Sequence, residues 1–278
     1  MKTRRTGDIQ KFDSMMDYIN AARIKGTDGI KSVSSEINAH RDEFTATKTM
    51  DEALNLAEFG WKEGLEQIEK ALDEISAEPY QEPAPVFDVQ GEAFNLDAVL
   101  QGQPENMMFF MNQDSNKPRV ISMAFNFSHG CSVPAEEIMK RGAAIASSVN
   151  DIESAGIRVE LFAYKVTIKG RRNRGFFRTK ALIKIKDADQ PLELERLCFA
   201  AAHPSMLRRL WFRLAEQFGK REFGQRFGET YGSSTDLQAS EVDELGLENV
   251  ILVKHEDKTP EQVKEAVKSQ LDQIINNQ

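Results

Sequence analysis

Phe176-Phe177-Arg178-Thr179-Lys180-Ala181-Leu182-Ile183-Lys184-Ile185-Lys186 alternates with a period of two. Phe177, Thr179, Ala181, Ile183 and Ile185 fall on one side, and Arg178, Lys180, Leu182, Lys184 and Lys186 on the other. Successive side chains of a β-strand point to opposite faces, so this pattern predicts a strand over 176–186. Just upstream, 157–168 reads as a second strand, with Ile157, Val159 and Leu161 alternating with Arg158 and Glu160. The loop between them, 169–175, is too short for a crossover. The pair is therefore expected to be an antiparallel hairpin, with 176–186 at a sheet edge.

The elements on either side set the fold class. A short apolar strand over 120–127 precedes a helix with Ser132 as its expected hydroxyl cap, Pro134 at its first position and Glu136 and Glu137 in its first turn. Ile138, Gly142, Ile145, Val149 and Ile152 recur at helical steps, and Gly156 ends the helix. Pro191 opens a long helix over 192–218 that His203-Pro204 is expected to break. A buried-type strand over 250–254 and a helix capped by Thr259 and Pro260 and running to 275 complete the chain. Strands separated by helices predict an α/β fold: a mostly parallel central sheet with one antiparallel edge hairpin, in three Rossmann-like layers.

The first 80 residues read as helical. Asp13 is placed to cap a helix carrying Met16, Ile19 and Ile24, and a second helix spans 50–75 with Leu54, Ala57, Trp61, Leu65, Ile68 and Leu72 on one face. Gly60 and Gly64 lie within that second span. The proline-rich stretch 78–86 divides this helical appendage (1–80) from the α/β domain (81–278). Residues 87–115 carry no clear period; 107–111 is an apolar cluster, either strand or buried loop. Whether the N-terminal helices pack on the sheet or on another chain, including a second copy, is left open.

Apolar residues are 40% of the 278 and charged residues 29%, an ordinary globular balance with enough chain for a full core. Only Cys131 and Cys198 are cysteines, which argues for a reducing compartment. The start, Met1-Lys2-Thr3-Arg4-Arg5, has no apolar run behind it, so neither a secretory signal nor a membrane span is expected, and the location expected is cytoplasmic. The net charge is −8, yet Lys165, Lys169, Arg171, Arg172, Arg174, Arg178, Lys180, Lys184 and Lys186 are nine cations with no acid among them. That asymmetry speaks of partners rather than of fold.

The element order resembles that of a von Willebrand factor A-like domain. The stretches Lys-Arg-Gly-Ala-Ala-Ile (140–145), Ile-Glu-Ser-Ala-Gly-Ile-Arg-Val-Glu-Leu (152–161) and His-Pro-Ser-Met-Leu-Arg-Arg-Leu (203–210) are similar to those of an uncharacterised family of phage- and prophage-encoded proteins, a likeness covering roughly 115–275. The A-like family places a metal-binding Asp-x-Ser-x-Ser after its first strand. Here the segment is Asn126-Phe127-Ser128-His129-Gly130, so only Ser128 matches and the anchoring acid is an amide. No metal and no cofactor is expected. A cation held here would need oxygens from Asp187, Asp189, Glu256 and Asp257 beside Ser128. For a phage-encoded protein, as the resemblance implies, the location expected is the host cytoplasm.

No catalytic pattern emerges, and a non-enzymatic protein is expected. His129 and Cys131 sit two residues apart in a turn, where side chains rarely face each other, and no glycine-rich phosphate loop follows a strand. The first functional expectation is nucleic-acid binding by a phage-type accessory protein, for example of single-stranded DNA in transcription or replication. Lys165, Lys169, Arg171, Arg172, Arg174, Phe176, Arg178, Lys180, Lys184 and Lys186 would track phosphates, with Arg208 and Arg209 extending the surface. The alternative is a protein–protein adaptor that uses the strand ends near Ser128. The same cations also suit an acidic protein surface, or edge lysines that block aggregation.

Overall fold

The computed structural model describes residues 5–24, 42–66, 86–88, 93–94, 101, 107–109, 120–130, 132–171, 175–215, 232–247 and 249–276. In chain order these hold β1 (Arg5–Phe12), α1 (Met15–Arg23), α2 (Asp42–Thr45), α3 (Met50–Phe59), β2 (Val86–Asp88), β3 (Ala93–Phe94), β4 (Met107–Phe109) and β5 (Val120–Asn126). Then come α4 (Ala135–Ser154), β6 (Arg158–Arg171), β7 (Gly175–Lys186), α5 (Leu194–Ala202), a π-helical segment (Met206–Trp211), β8 (Ser233–Thr235), α6 (Ala239–Leu245), β9 (Val250–Val253) and α7 (Pro260–Asn276).

The main sheet has the order β1-β7-β6-β5-β9, with β8 on β6. β5 runs parallel to both β6 and β9, and β1 parallel to β7, while β6 and β7 form the antiparallel hairpin. This is the mostly parallel α/β sheet that the alternation of strands and helices predicts. β7 is not an edge, however. β1 lies beside it from Arg5↔Phe177 to Phe12↔Ile183. No period-two run marks 5–12, so the sequence reading missed this strand and treated the segment as helical.

β5 is buried from Ile121 to Asn126 because both of its faces are covered. Ile121, Met123 and Phe125 face a large core shared with α1, α3, α4, α5, the π-helical segment and α7. Ala124, with Phe162, Tyr164, Val166 and Leu182, faces a smaller cluster closed by Leu237, Val242, Leu245 and Leu247 around α6. The N-terminal helices thus pack on the sheet. Tyr18, Ile19, Met50, Leu54 and Trp61 belong to the same core as Phe199 and Leu210, and Tyr18 donates its hydroxyl to Met206 O at 3.0 Å. Residues 1–80 have no separate core among the described residues, so the appendage expected from the proline-rich break is, where described, part of the α/β unit.

Local corrections have simple causes. α3 stops at Gly60, whose φ of 90° takes it out of helical space, and the stretch 67–85 lies outside the described residues. Pro134 itself caps α4, and Ser132 makes no side-chain cap bond there. The expected break at His203 is real: α5 ends at Ala202, and a π-helical turn follows. The 107–111 cluster supplies β4, which pairs with β2 and β3 in a small antiparallel sheet.

The crossing of α4 and α5 depends on Gly142. A methyl placed there would sit 2.3 Å from Ala202 Cβ and 2.6 Å from its Cα. Backbone cannot yield as a flexible side chain would. Gly142→Val is expected to destabilise the fold by about 3 kcal/mol, at the upper end of overpacking costs, read as a lower denaturant midpoint with an unchanged slope.

Candidate functional site: a cationic cleft at the strand ends

The cations of the hairpin stem face inward. Arg178 makes a two-pronged ion pair with Glu241 (2.7 and 2.6 Å) and also donates to Asp236 O at 2.5 Å. Lys180 reaches Glu244 at 3.0 Å and Glu241 at 3.5 Å. Lys184 bridges Asp187 and Glu160, and Lys186 binds Glu153 at 2.6 Å. Arg178, Lys180 and Lys186 are buried. The predicted alternation of β7 is real, but its cationic side is paired with acids: Arg178 and Lys180 with those of α6, Lys184 and Lys186 with Glu160, Asp187 and Glu153. Burial pushes the Glu241 carboxyl up, yet the bonds from Arg178 and from Gln238 N, with the charges of Arg178 and Lys180, hold it below the usual range.

Arg208 and Arg209 do not extend a surface either. Arg209 donates to Thr47 Oγ1 (2.7 Å), Thr47 O (2.5 Å) and Lys48 O (2.9 Å). Arg208 donates to Phe44 O, Gly130 O and Val133 O, and its guanidinium lies 4.2 Å from the centre of the Phe44 ring. The side chains of Lys169, Arg171, Arg172, Arg174 and Phe176, the expected hairpin tip, lie outside the described residues, as does Cys131.

Lys165 behaves differently from the other stem cations. It is buried on the opposite face of the hairpin, and its Nζ donates to Ser128 Oγ at 3.0 Å. Both line a cavity of about 690 Å³ at the carboxyl ends of β5 and β9, where open α/β sheets hold their ligands. The β5–α4 loop contributes Ser128, His129 and Gly130; the first turns of α4 contribute Glu137 and Arg141. The π-helical segment adds Leu207 and Arg208, the loop after β9 adds His255 and Lys258, and Phe44 closes the N-terminal side. β6 outruns β5, and the overhang past Tyr164 is paired instead with β8. Gly232, just before β8, packs so close to β6 that a methyl would lie 2.3 Å from Thr167 Cγ2.

The electrostatics of the cleft are one-sided. Arg141 is buried; it donates through Nε to Asp257 O and through Nη2 to Lys254 O, and its other terminal nitrogen, Nη1, has no partner among the described residues. Burial lowers its pKa to about 10, against the nearby charge of Asp257. Neither Arg141 nor Lys165 has a carboxylate within ion-pair distance among the described residues. Glu137, on the exposed rim, is the one acid among the described residues that line the cavity. The His129 imidazole is held well below its usual pKa, first by burial and then by the charges of Arg141, Arg208 and Lys165.

Beneath the cleft lies a polar knot that the sequence reading did not assemble. Asp236 accepts from Asn126 Nδ2 (2.8 Å), Tyr164 Oη (2.8 Å) and His255 N (2.9 Å), and contacts His255 Nδ1. Asn126 also donates to Thr235 O and accepts from Ser128 N. Its amide uses both donors and its acceptor, which a carboxylate could not do. Of the oxygens named for a metal, Ser128 and Asp257 lie at this end of the sheet. Asp187 and Asp189 follow β7, which runs antiparallel, so they lie at the other end, near Glu160. No group of three or more His, Cys, Asp or Glu suited to a metal occurs among the described residues.

Residues 4–274 match the family described as "Domain of unknown function (DUF7192)". The chain belongs to that family. No curated protein and no solved structure matches it. No helix among the described residues is long and apolar enough to cross a membrane.

Two outcomes are expected. Asn126→Asp would set a carboxylate against Asp236 and lose the bond to Thr235 O, destabilising the protein by about 1–3 kcal/mol, measured by chemical denaturation at pH 7. Burial holds the Lys165 pKa at about 7, below its ordinary 10.5. Between those values the unfolded chain binds a proton that the folded chain does not, so this group makes stability rise with pH from about 7 towards 10.5. Lys165→Met should flatten that rise in a series of melts across the window.

Proposed function

We propose that this chain is a binding protein for a small anion, or for a small molecule with a phosphate or carboxylate group, held in the cleft at the ends of β5 and β9. One observation carries the reading. Arg141 and Lys165 are buried at the cleft with no carboxylate partner among the described residues, and with Arg208 they lower the His129 pKa. Burying such charges is costly unless an opposite charge meets them. An anion in the cleft would supply it, and the start of α4 adds the partial positive charge of a helix N-terminus. A cavity of about 690 Å³ suits a small molecule rather than a duplex.

The nucleic-acid reading rests on the hairpin tip, since the described stem cations are held by Glu241, Glu244, Glu160, Asp187 and Glu153. The adaptor reading uses the same strand ends as the cleft and differs in having a protein as its ligand.

Calorimetric titration with inorganic phosphate tests the proposal. Saturable binding is expected, with a melting temperature that climbs with phosphate concentration, and Arg141→Met and Lys165→Met should each weaken it at least tenfold. Labelled single-stranded DNA, followed by anisotropy through a salt series, provides the contrast. Binding that survives both substitutions and disappears when Arg171, Arg172 and Arg174 are neutralised would move the function to the hairpin tip.

A further inference from the structure

From the Ser128–Lys165 contact at the cleft wall we infer an acyl-transfer activity, with Ser128 as nucleophile and Lys165 as its general base, acting on an ester or amide whose acyl part carries negative charge. The inference rests on the reading of the cleft as an anion site and goes beyond binding.

Three features carry it. Lys165 Nζ and Ser128 Oγ are 3.0 Å apart, the hydrogen-bond reach that a nucleophile and its base require. Both line a cavity large enough for a small substrate, so the pair is not sealed in the core. Ser128 is also held by its backbone, whose N–H donates to Asn126 Oδ1 at 2.9 Å, and that amide is fixed in turn by Asp236 and Thr235. A base must also lose its own proton near neutral pH, and burial brings Lys165 to about 7. Other charged and titratable groups line the cavity with it. Arg141 on α4, Arg208 on the π-helical segment and Lys258 beyond β9 are cations, His129 is held neutral, and Glu137 stands at the rim.

The step balances without any further reagent but water. The neutral Lys165 amine takes the Ser128 hydroxyl proton as Oγ bonds to the substrate carbonyl carbon. The tetrahedral oxyanion forms among Arg141, Arg208 and the start of α4. It collapses as the bond to the leaving group breaks, and the Lys165 ammonium returns its proton to that group. Water then repeats the sequence on the acyl-serine: Lys165 takes its proton, the new C–O bond forms, the C–Oγ bond breaks, and the proton returns to Oγ.

The test uses the full chain and a fluorophosphonate probe, with labelling followed by intact mass and the site located by peptide mapping. Ser128 is expected to be the labelled residue, with a rate that rises through pH 7. Ser128→Ala should abolish labelling. Lys165→Met and Lys165→Arg should each slow it about 100-fold; Lys165→Arg keeps the charge but cannot deprotonate, and melts confirm that each variant is folded. Mono-p-nitrophenyl succinate should turn over faster than neutral p-nitrophenyl acetate. Labelling elsewhere, or at Ser128 at the wild-type rate in both Lys165 variants, overturns the assignment. No labelling in a protein that still binds phosphate overturns the activity alone; loss of both defeats the anion reading as well.

Discussion

One guanidinium ties together the parts of the chain that form the cleft. Arg208 donates to Phe44 O, to Gly130 O and to Val133 O. Those carbonyls belong to the N-terminal region, to the loop after β5 and to the approach to α4. A planar fork with several fixed donors can satisfy three carbonyls at once, which a lysine could not. Arg209, one residue on, does the same for Thr47 and Lys48. The π-helical turn that carries both arginines follows the His203-Pro204 break, where the imidazole stacks on Phe199, meets the Trp61 edge and accepts from Ser205 N. Burial holds that imidazole at a pKa of about 3, so it stays neutral and serves as packing.

The hairpin divides its cations by face. On the α6 side, Arg178 and Lys180 meet Glu241 and Glu244; further along the same strand, Lys184 and Lys186 meet Glu160, Asp187 and Glu153. Each buried charge there has an acid, as the cost of desolvation requires. On the other side, Lys165 has a hydroxyl instead. That difference separates charges paired with acids from a buried amine that is not. It arises because β6 runs past the end of β5, so the residues of its overhang look into a cleft rather than onto a helix.

Much of the fold could be read from periodicity alone. The alternation in 176–186, the 4-3-4-3 spacing from Ile138 to Ile152 and the helix-breaking His203-Pro204 pair each correspond to an observed element, because each reports a local backbone preference or a local face. β1 was not legible, since 5–12 has no period-two pattern and its pairing partner, β7, lies about 170 residues later. The π-helical segment was likewise hidden inside an ordinary helical spacing. Ser128 was singled out, and Lys165 was counted, but as members of two different surfaces. Asp236 and Arg141 were not singled out at all, although each is central to the cleft or to the knot beneath it. No spacing rule joins Asn126, Tyr164, Asp236 and His255, because their contacts cross four segments of chain.

The sequence by itself determined an α/β sheet of mostly parallel strands, an antiparallel hairpin and a concentration of positive charge on that hairpin. These follow from side-chain period, loop length and composition, which are properties of neighbours along the chain. The tertiary structure alone decided where the charge is spent. Glu241 and Glu244 neutralise β7 from a helix more than fifty residues downstream, while Arg141 and Lys165 line one cleft with no carboxylate within ion-pair distance among the described residues. Whether a cation is a strut or a binding group depends on what lies within a few ångströms of it, and that distance is set by packing between segments remote in sequence.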